Sequence, residues 1–441
     1  MASAALRSAA LAVLRANDLG GWTKPAPRLY PHQWSWDSAF IAIGLAQVDL
    51  DRALRELETL FGAQWSDGRV PHIVFNPEAA DYFPGPEWWA SARTSPKAPR
   101  DRATSGLIQP PVHALALERV YQLASEQRAA AIVERVRGVY PQVFAWHRYL
   151  ATARDPGGRG LLVIYHPWES GTDNSPRWDA ALGRLAVGTL PAYQRHDLRH
   201  VEDPSERPTH AEYDRYLWLV ELLKQAGYDD PTIQRTHPFQ IGDVLMSAIF
   251  AAACRALGRV AEALGRPAAE RRALDEWSVR FSRGVLGAWD AELGLALDWD
   301  VRAGEAVRVQ TCAGLGPLLV PELDGQRLLR LVEQLAGPGF AGAPRLVYAV
   351  VPSTAPGSVG WQVRSYWRGP SWPVANWLLW WGLEQHGQAV AAGRLRAANL
   401  GLLGREGARF GEYFEPYTAE PLGSLDQSWT AAVALDWLAA P

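Results

Sequence analysis

Apolar residues recur at three- and four-residue spacing through most of the chain, a pattern that lines one face of a helix and therefore confines the fold to helices. Leu54, Leu57, Leu60 and Phe61 show it clearly. It predicts helices over 3–15, 38–61, 112–124, 128–150, 180–190, 211–226, 242–264, 268–286, 327–335, 374–386, 388–403 and 427–438, with a short turn near 313–320. Strand-like alternation is limited to brief pieces such as 161–165. The fold class is therefore all-α with minor β excursions. No Ser- or Gly-rich linker divides the 441 residues, so one domain spanning 1–441 is predicted.

The connections alternate between tight and long. The long ones are 20–37, 64–109, 163–179, 191–210, 298–311, 339–371 and 404–427, and they are rich in Trp, Tyr, Pro and Gly. Long loops in a compact chain usually carry function. A closed ring of six helical hairpins would place alternate loops on one face, and that face would be the aromatic, carboxylate-bearing one. Many of the 21 Trp lie in these loops, where indoles offer flat apolar platforms with a polar tip, suited to sugar rings.

Composition excludes several classes. A net charge of −3 gives no basic excess for neutralising phosphates, so no nucleic-acid partner is expected. Cys254 and Cys312 are isolated, with no metal-ligand spacing and no disulfide framework, which favours a reducing, cytoplasmic setting. No signal-peptide core interrupts the first amphipathic helix, and no uninterrupted membrane-length apolar run is expected. The sequence is compatible with a homo-oligomer.

Four stretches share one form, polar and aromatic residues just before a helix start. In 168–179, WESGTDNSPRWD, Ser175 or Asn174 can cap the helix and Pro176 sits near its first position, so Asp173 falls on the loop ahead of it. An acid between aromatic faces there can be kept protonated by desolvation. The others are 411–418 (GEYFEPYT, with 427–430 opening the last helix), 30–38 (YPHQWSWDS) and 364–373 (RSYWRGPSWP). Two carboxylates facing a cleft suffice to hydrolyse a glycosidic bond, without a cofactor. Asp173 and Glu412 are the favoured pair from their equivalent loop settings, while Glu169, Asp179 and Glu415 compete with them locally. His196 and His200 have zinc-helix spacing but lack its Glu and lie in a polar loop, so no metal site is expected; no GxSxG elbow or Walker loop occurs.

At these residues the chain resembles glycoside hydrolase family 63, and within it the small bacterial mannosylglycerate and glucosylglycerate hydrolases. The likeness covers essentially the whole chain through HQWSWD, ESGTDNSPRWD, YWRGPSWPVANW and GEYFEPYTAE…DQSWT. It implies an (α/α)6 toroid and an inverting reaction, with Asp173 as general acid and Glu412 as general base. It further implies a sugar site lined by Tyr30, Trp34, Gln109, Tyr366, Trp367, Trp372 and Gln427, with Trp36 from the WSWD motif. Asp37 of that motif would bond sugar hydroxyls or help hold the attacking water. Arg207, Tyr213 and Tyr82 match the glycerate-binding positions, Arg suiting a carboxylate bidentately. No N-terminal β-sandwich is present, so the expected site is a pocket closed by loops within 64–109 and 191–210. The expected substrate is 2-O-α-mannosylglycerate, 2-O-α-glucosylglycerate or both. The alternatives are a trehalase- or kojibiose-type hydrolase of a neutral disaccharide, a sugar epimerase or isomerase using His32, His196, His200 or His210, and a non-catalytic sugar binder.

Overall fold

The computed structural model describes residues 2–79, 81–199, 203–407 and 409–440. Its centre is built from the helices Ser35–Ala46, His113–Glu126, Val244–Ala263, Pro373–Gln385 and Ser428–Ala439 and the 3-10 segment Cys312–Leu319. Every residue of Ser35–Ala46 is buried, as befits a helix apolar on all sides. Ser428–Ala439 packs on Ser35–Ala46, which packs on His113–Glu126; contacts continue through Val244–Ala263, Cys312–Leu319 and Pro373–Gln385 back to Ser428–Ala439. Gly44 allows one of these approaches, since a Cβ there would lie 2.4 Å from the backbone of Ala432.

A second set of helices lies outside this cluster: Ala2–Asn17, Leu50–Phe61, Ala130–Ala153, Ala268–Gly287, Gly325–Ala336 and Ala389–Leu403. Leu50–Phe61 buries Leu54, Leu57, Leu60 and Phe61, and its buried charges Arg52 and Glu56 pair with each other (2.9 Å). Short strands pin the long loops. Gln33–Trp34 pairs with Ile73–Val74, Tyr413–Phe414 with Pro421–Leu422, and Leu162–Ile164 is the edge of a four-stranded sheet continued by Ile241–Asp243, Asp298–Asp300 and Glu305–Val307.

The helix-dominated architecture is as expected, with differences of detail. The run over 38–61 is two helices, because Asp49 accepts the Arg52 N–H (3.0 Å) and caps a new start. The helix expected over 180–190 is only Asp179–Gly183, and the residues after it are largely exposed, leaving their apolar side chains little to pack against. Asp230–Thr236, capped by Asp229, was not signalled by periodicity because it is too short to show a stripe. Val244–Ala263 is long and apolar enough to cross a membrane, contrary to the expectation of no such segment; most of it is buried against neighbouring helices as a core element.

Candidate active site

The loops ahead of the central helices converge at one end of the cluster. Trp34, Trp36 and Asp37 open Ser35–Ala46, Gln109 precedes His113–Glu126, Tyr366 and Trp367 precede Pro373–Gln385, and Gln427 precedes Ser428–Ala439. With Tyr30, Gly171, Asp173, Glu412 and Trp429 they line an inner chamber. An outer chamber shares Tyr30, Trp34, Gln109, Asp173 and Tyr366 and adds Tyr82, Arg207 and Tyr213. Asp173 stands at the junction.

The acid loop reaches this place because Gly171 adopts φ +71°; a Cβ there would lie 2.6 Å from the Trp36 indole. The Tyr216 hydroxyl donates to the Asp173 carbonyl (3.3 Å). The expected side-chain caps do not form. Asn174 instead accepts the Trp367 N–H (2.8 Å) and donates to Ser365 (3.4 Å), fastening the acid loop to the aromatic one.

Glu412 sits just before the Tyr413–Phe414 strand and is almost wholly buried. Its carboxylate accepts from the Tyr30 hydroxyl (2.8 Å), the Tyr366 hydroxyl (3.3 Å) and the Ser424 N–H (3.0 Å). Gln427 accepts from the Ser424 hydroxyl (2.6 Å), while its buried Nε2 has no partner among the described residues and is free to donate to a hydroxyl in the chamber. Gln109 accepts the Trp36 N–H (3.2 Å).

Three carboxylates share this low-dielectric space. Burial pushes Asp173 up to about 7, Arg207 opposing the rise and Glu412 adding to it. Burial also raises Glu412, which Arg207, the Ser424 N–H and the two tyrosines pull back. Asp37 is pushed well above the carboxylate range by burial and then by the charge of Glu412. One acid poised to hold its proton near neutrality and one ringed by donors that favour its anion is an arrangement suited to acid–base work on a glycosidic bond.

The local competitors are committed elsewhere. Glu169 forms a buried bidentate pair with Arg154 (2.9 and 2.9 Å), Asp179 is held by Arg368 (2.8 and 2.5 Å), and Glu415 accepts the Thr418 N–H (2.5 Å). Of the predicted binding residues, Trp372 lines neither chamber. It is fully buried one layer behind, stacked on Trp367 at 3.8 Å and 7° and donating to the Tyr366 carbonyl (3.1 Å), so it supports the floor instead of forming it.

In the outer chamber the Arg207 guanidinium lies over the Tyr366 ring at 4.4 Å and donates to the Tyr30 hydroxyl (3.3 Å) and Asp197 (3.4 Å). Arg195 holds Asp197 through two bonds (3.0 and 2.7 Å) and the Pro208 carbonyl (2.7 Å), closing the base of the 195–208 loop. The 64–109 and 191–210 loops meet where Phe83 stacks on Tyr193 (5.4 Å, 7°) and His196 lies 2.9 Å from Asp81. His200 lies outside the described residues. Sequence reasoning did not single out Gly171, Trp168, Asp197 and Trp429 as lining groups, although Trp168 and Gly171 lie in the 168–179 stretch, Asp197 in the 191–210 loop and Trp429 in DQSWT.

This is the site of a glycoside hydrolase. The sequence profile of the family described as "Mannosylglycerate hydrolase MGH1-like glycoside hydrolase domain" matches residues 30–430, and the chain belongs to that family. It is 47% identical over 439 residues to the glucosylglycerate hydrolase of Mycolicibacterium hassiacum, covering 98% of this chain and 97% of that one. It is 43% identical over 430 residues to the mannosylglycerate hydrolase of Thermus thermophilus, covering 97% and 99%. A crystal structure of the GH63 mannosylglycerate hydrolase from Thermus thermophilus in complex with Tris and D-glycerate superposes with a TM-score of 0.89 at 42% identity, over 98% of this chain and 99% of that one.

Proposed function

We propose that the chain is an inverting α-glycosidase that hydrolyses 2-O-α-glucosylglycerate, 2-O-α-mannosylglycerate or both to hexose and glycerate. The observation that carries this reading is the placement of Asp173 and Glu412 in one inner chamber with the Arg207 guanidinium in the adjoining outer one. Hexose occupies the inner chamber, its hydroxyls meeting Gln427, Gln109 and Asp37 and its faces meeting Trp34, Trp36 and Trp367. Glycerate lies outward, its carboxylate on Arg207 and its hydroxyls near Tyr82 and Tyr213.

Asp173, at the junction, protonates the glycosidic oxygen as the bond to the anomeric carbon breaks. Glu412 takes a proton from a water that attacks that carbon from the opposite face, so the configuration inverts. Tyr30, Tyr366 and the Ser424 N–H hold Glu412 as the anion this step needs. The activities named for the relatives and the D-glycerate complex support the choice of aglycone. The cycle of contacts among the central segments, each with an outer helix packed against it, supports a single-domain (α/α)6 toroid.

Turnover of glucosylglycerate, mannosylglycerate and trehalose, with the first-released anomer followed by NMR, tests the reading. The expected outcome is β-hexose from an α-glycosylglycerate and negligible action on trehalose. Preferential hydrolysis of trehalose, or an α-hexose product, sinks it.

A further inference from the structure

One side chain outside both chambers joins the lid to the hairpin beside Glu412. Arg364 donates through Nη2 to Glu206 (2.6 Å) and through Nη1 to Glu420 (2.6 Å). Glu206 belongs to the 3-10 turn Pro204–Glu206 of the lid and is only 4% exposed. Glu420 adjoins the strand Pro421–Leu422, whose partner Tyr413–Phe414 directly follows Glu412.

Each arm of this clasp therefore abuts a residue of the site. Arg207 follows Glu206, Tyr366 lies two residues beyond Arg364, and the hairpin leads back to Glu412. Inside the pocket those same three groups meet, Arg207 over the Tyr366 ring at 4.4 Å and the Tyr366 hydroxyl on Glu412 at 3.3 Å. The direct holders of Arg207, Asp197 and Tyr30, are at 3.4 and 3.3 Å, long for charge-assisted bonds, so its placement leans on where the backbone of the lid is anchored.

We propose that Arg364 is a positioning residue that seats Arg207 over Tyr366 and so fixes the outer chamber for an anionic aglycone, an inference that rests on the glycosylglycerate reading above. An exposed ion pair alone contributes little, but deleting Arg364 leaves the buried Glu206 carboxylate without its partner and pushes the lid turn to rearrange. Arg207 also draws Glu412 toward its ionised form. The other titratable groups facing Glu412 are Tyr30, Asp37, Asp173, Tyr366 and Tyr413. A loosened Arg207 therefore moves the acid limb of the rate profile to higher pH.

The test is steady-state kinetics of Arg364→Ala on the two glycosylglycerates and on the matching uncharged glycerol glycosides. The expected result is a KM about five- to tenfold higher for the charged substrates with kcat within about twofold, a KM unchanged for the uncharged ones, and an acid limb displaced upward. Arg364→Lys recovers most of the loss, and Glu206→Gln reproduces it without adding to Arg364→Ala in the double variant. Unchanged KM in Arg364→Ala, or equal losses on charged and uncharged glycosides, overturns the proposal. Should Arg364→Ala fail to fold, Glu206→Gln carries the same comparison. Wild-type enzyme inert toward both charged glycosides overturns the functional reading, and the proposal with it; active wild type beside an unaffected variant overturns the proposal alone.

Discussion

The inner chamber is set into the starts of the central helices, whereas the outer chamber hangs from two loops tied by ion pairs and ring contacts. Glu412, Asp37 and Gln427 are nearly inaccessible and held by helix starts and a hairpin. Arg207, Tyr82 and His196 belong to segments joined through Arg195, Asp197, Asp81 and Arg364. A rigid setting suits groups that must meet a transition state within fractions of an ångström, and a movable one suits admission and release of a charged aglycone. If chemistry is carried by the helix-start chamber and aglycone selectivity by the loop chamber, substitutions should separate kcat from KM along that line.

The largest expected break is in the inner chamber. Glu412→Gln and Asp173→Asn each lower kcat about a thousandfold with KM little changed, in assays on either glycosylglycerate; retention of a tenth of wild-type turnover by either would remove that residue from its role. Gly171→Ala comes next, because a Cβ at φ +71° meets the Trp36 indole at 2.6 Å. It should cost about 2 kcal/mol in urea unfolding and at least tenfold in kcat.

In the outer chamber Arg207→Met should raise KM about tenfold for charged substrates while leaving kcat within a few-fold, and should leave an uncharged glycoside nearly untouched. The same variant sharpens the comparison through pH. As the proposed general acid, Asp173 would work protonated, so kcat/KM should fall as pH rises through about 7, and removal of Arg207, which holds that value down, should shift this alkaline limb upward. A neutral aglycone chamber that left the limb in place would show that the two regions are electrostatically separate.

The smallest effect concerns stability. The folded-state value of Asp173 lies above its ordinary 3.8, so its bound proton contributes stability that is complete below that value and lost as pH climbs through about 7. Asp173→Asn should therefore raise Tm by a few degrees at pH 8 and by less at pH 5, as read by calorimetry.

Much of this was legible in the sequence because the inner chamber is built from contiguous motifs. The WSWD, GTDNS, YWRG and GEYFEP stretches each deliver their side chains from one loop, so local order nearly specifies the site. Trp372 shows the limit: a motif gives membership in a layered stack but not the layer, and this ring lies behind Trp367. Asn174 shows another, since its capping chemistry was readable but the competing N–H of Trp367, distant in sequence, was not. Arg195 and Asp197 bond each other, Pro208 and Arg207 within one loop that carries no motif, and Arg364 bonds Glu206 and Glu420 on segments distant in sequence, so nothing in the linear order announces a clasp. The 38–61 run failed for a simpler reason: helical spacing continues across a break that one capping Asp creates.

The slab formed by Trp367, Trp372 and Tyr413, with Trp36 at its edge, also makes the molecule optically self-reporting. Indoles packed face to face couple their transitions and quench one another, so a sugar settling against the chamber-facing side of Trp367 should alter emission and circular dichroism without any attached label. Occupancy of the inner chamber, and with it the departure of the hexose, can then be followed in real time by rapid mixing.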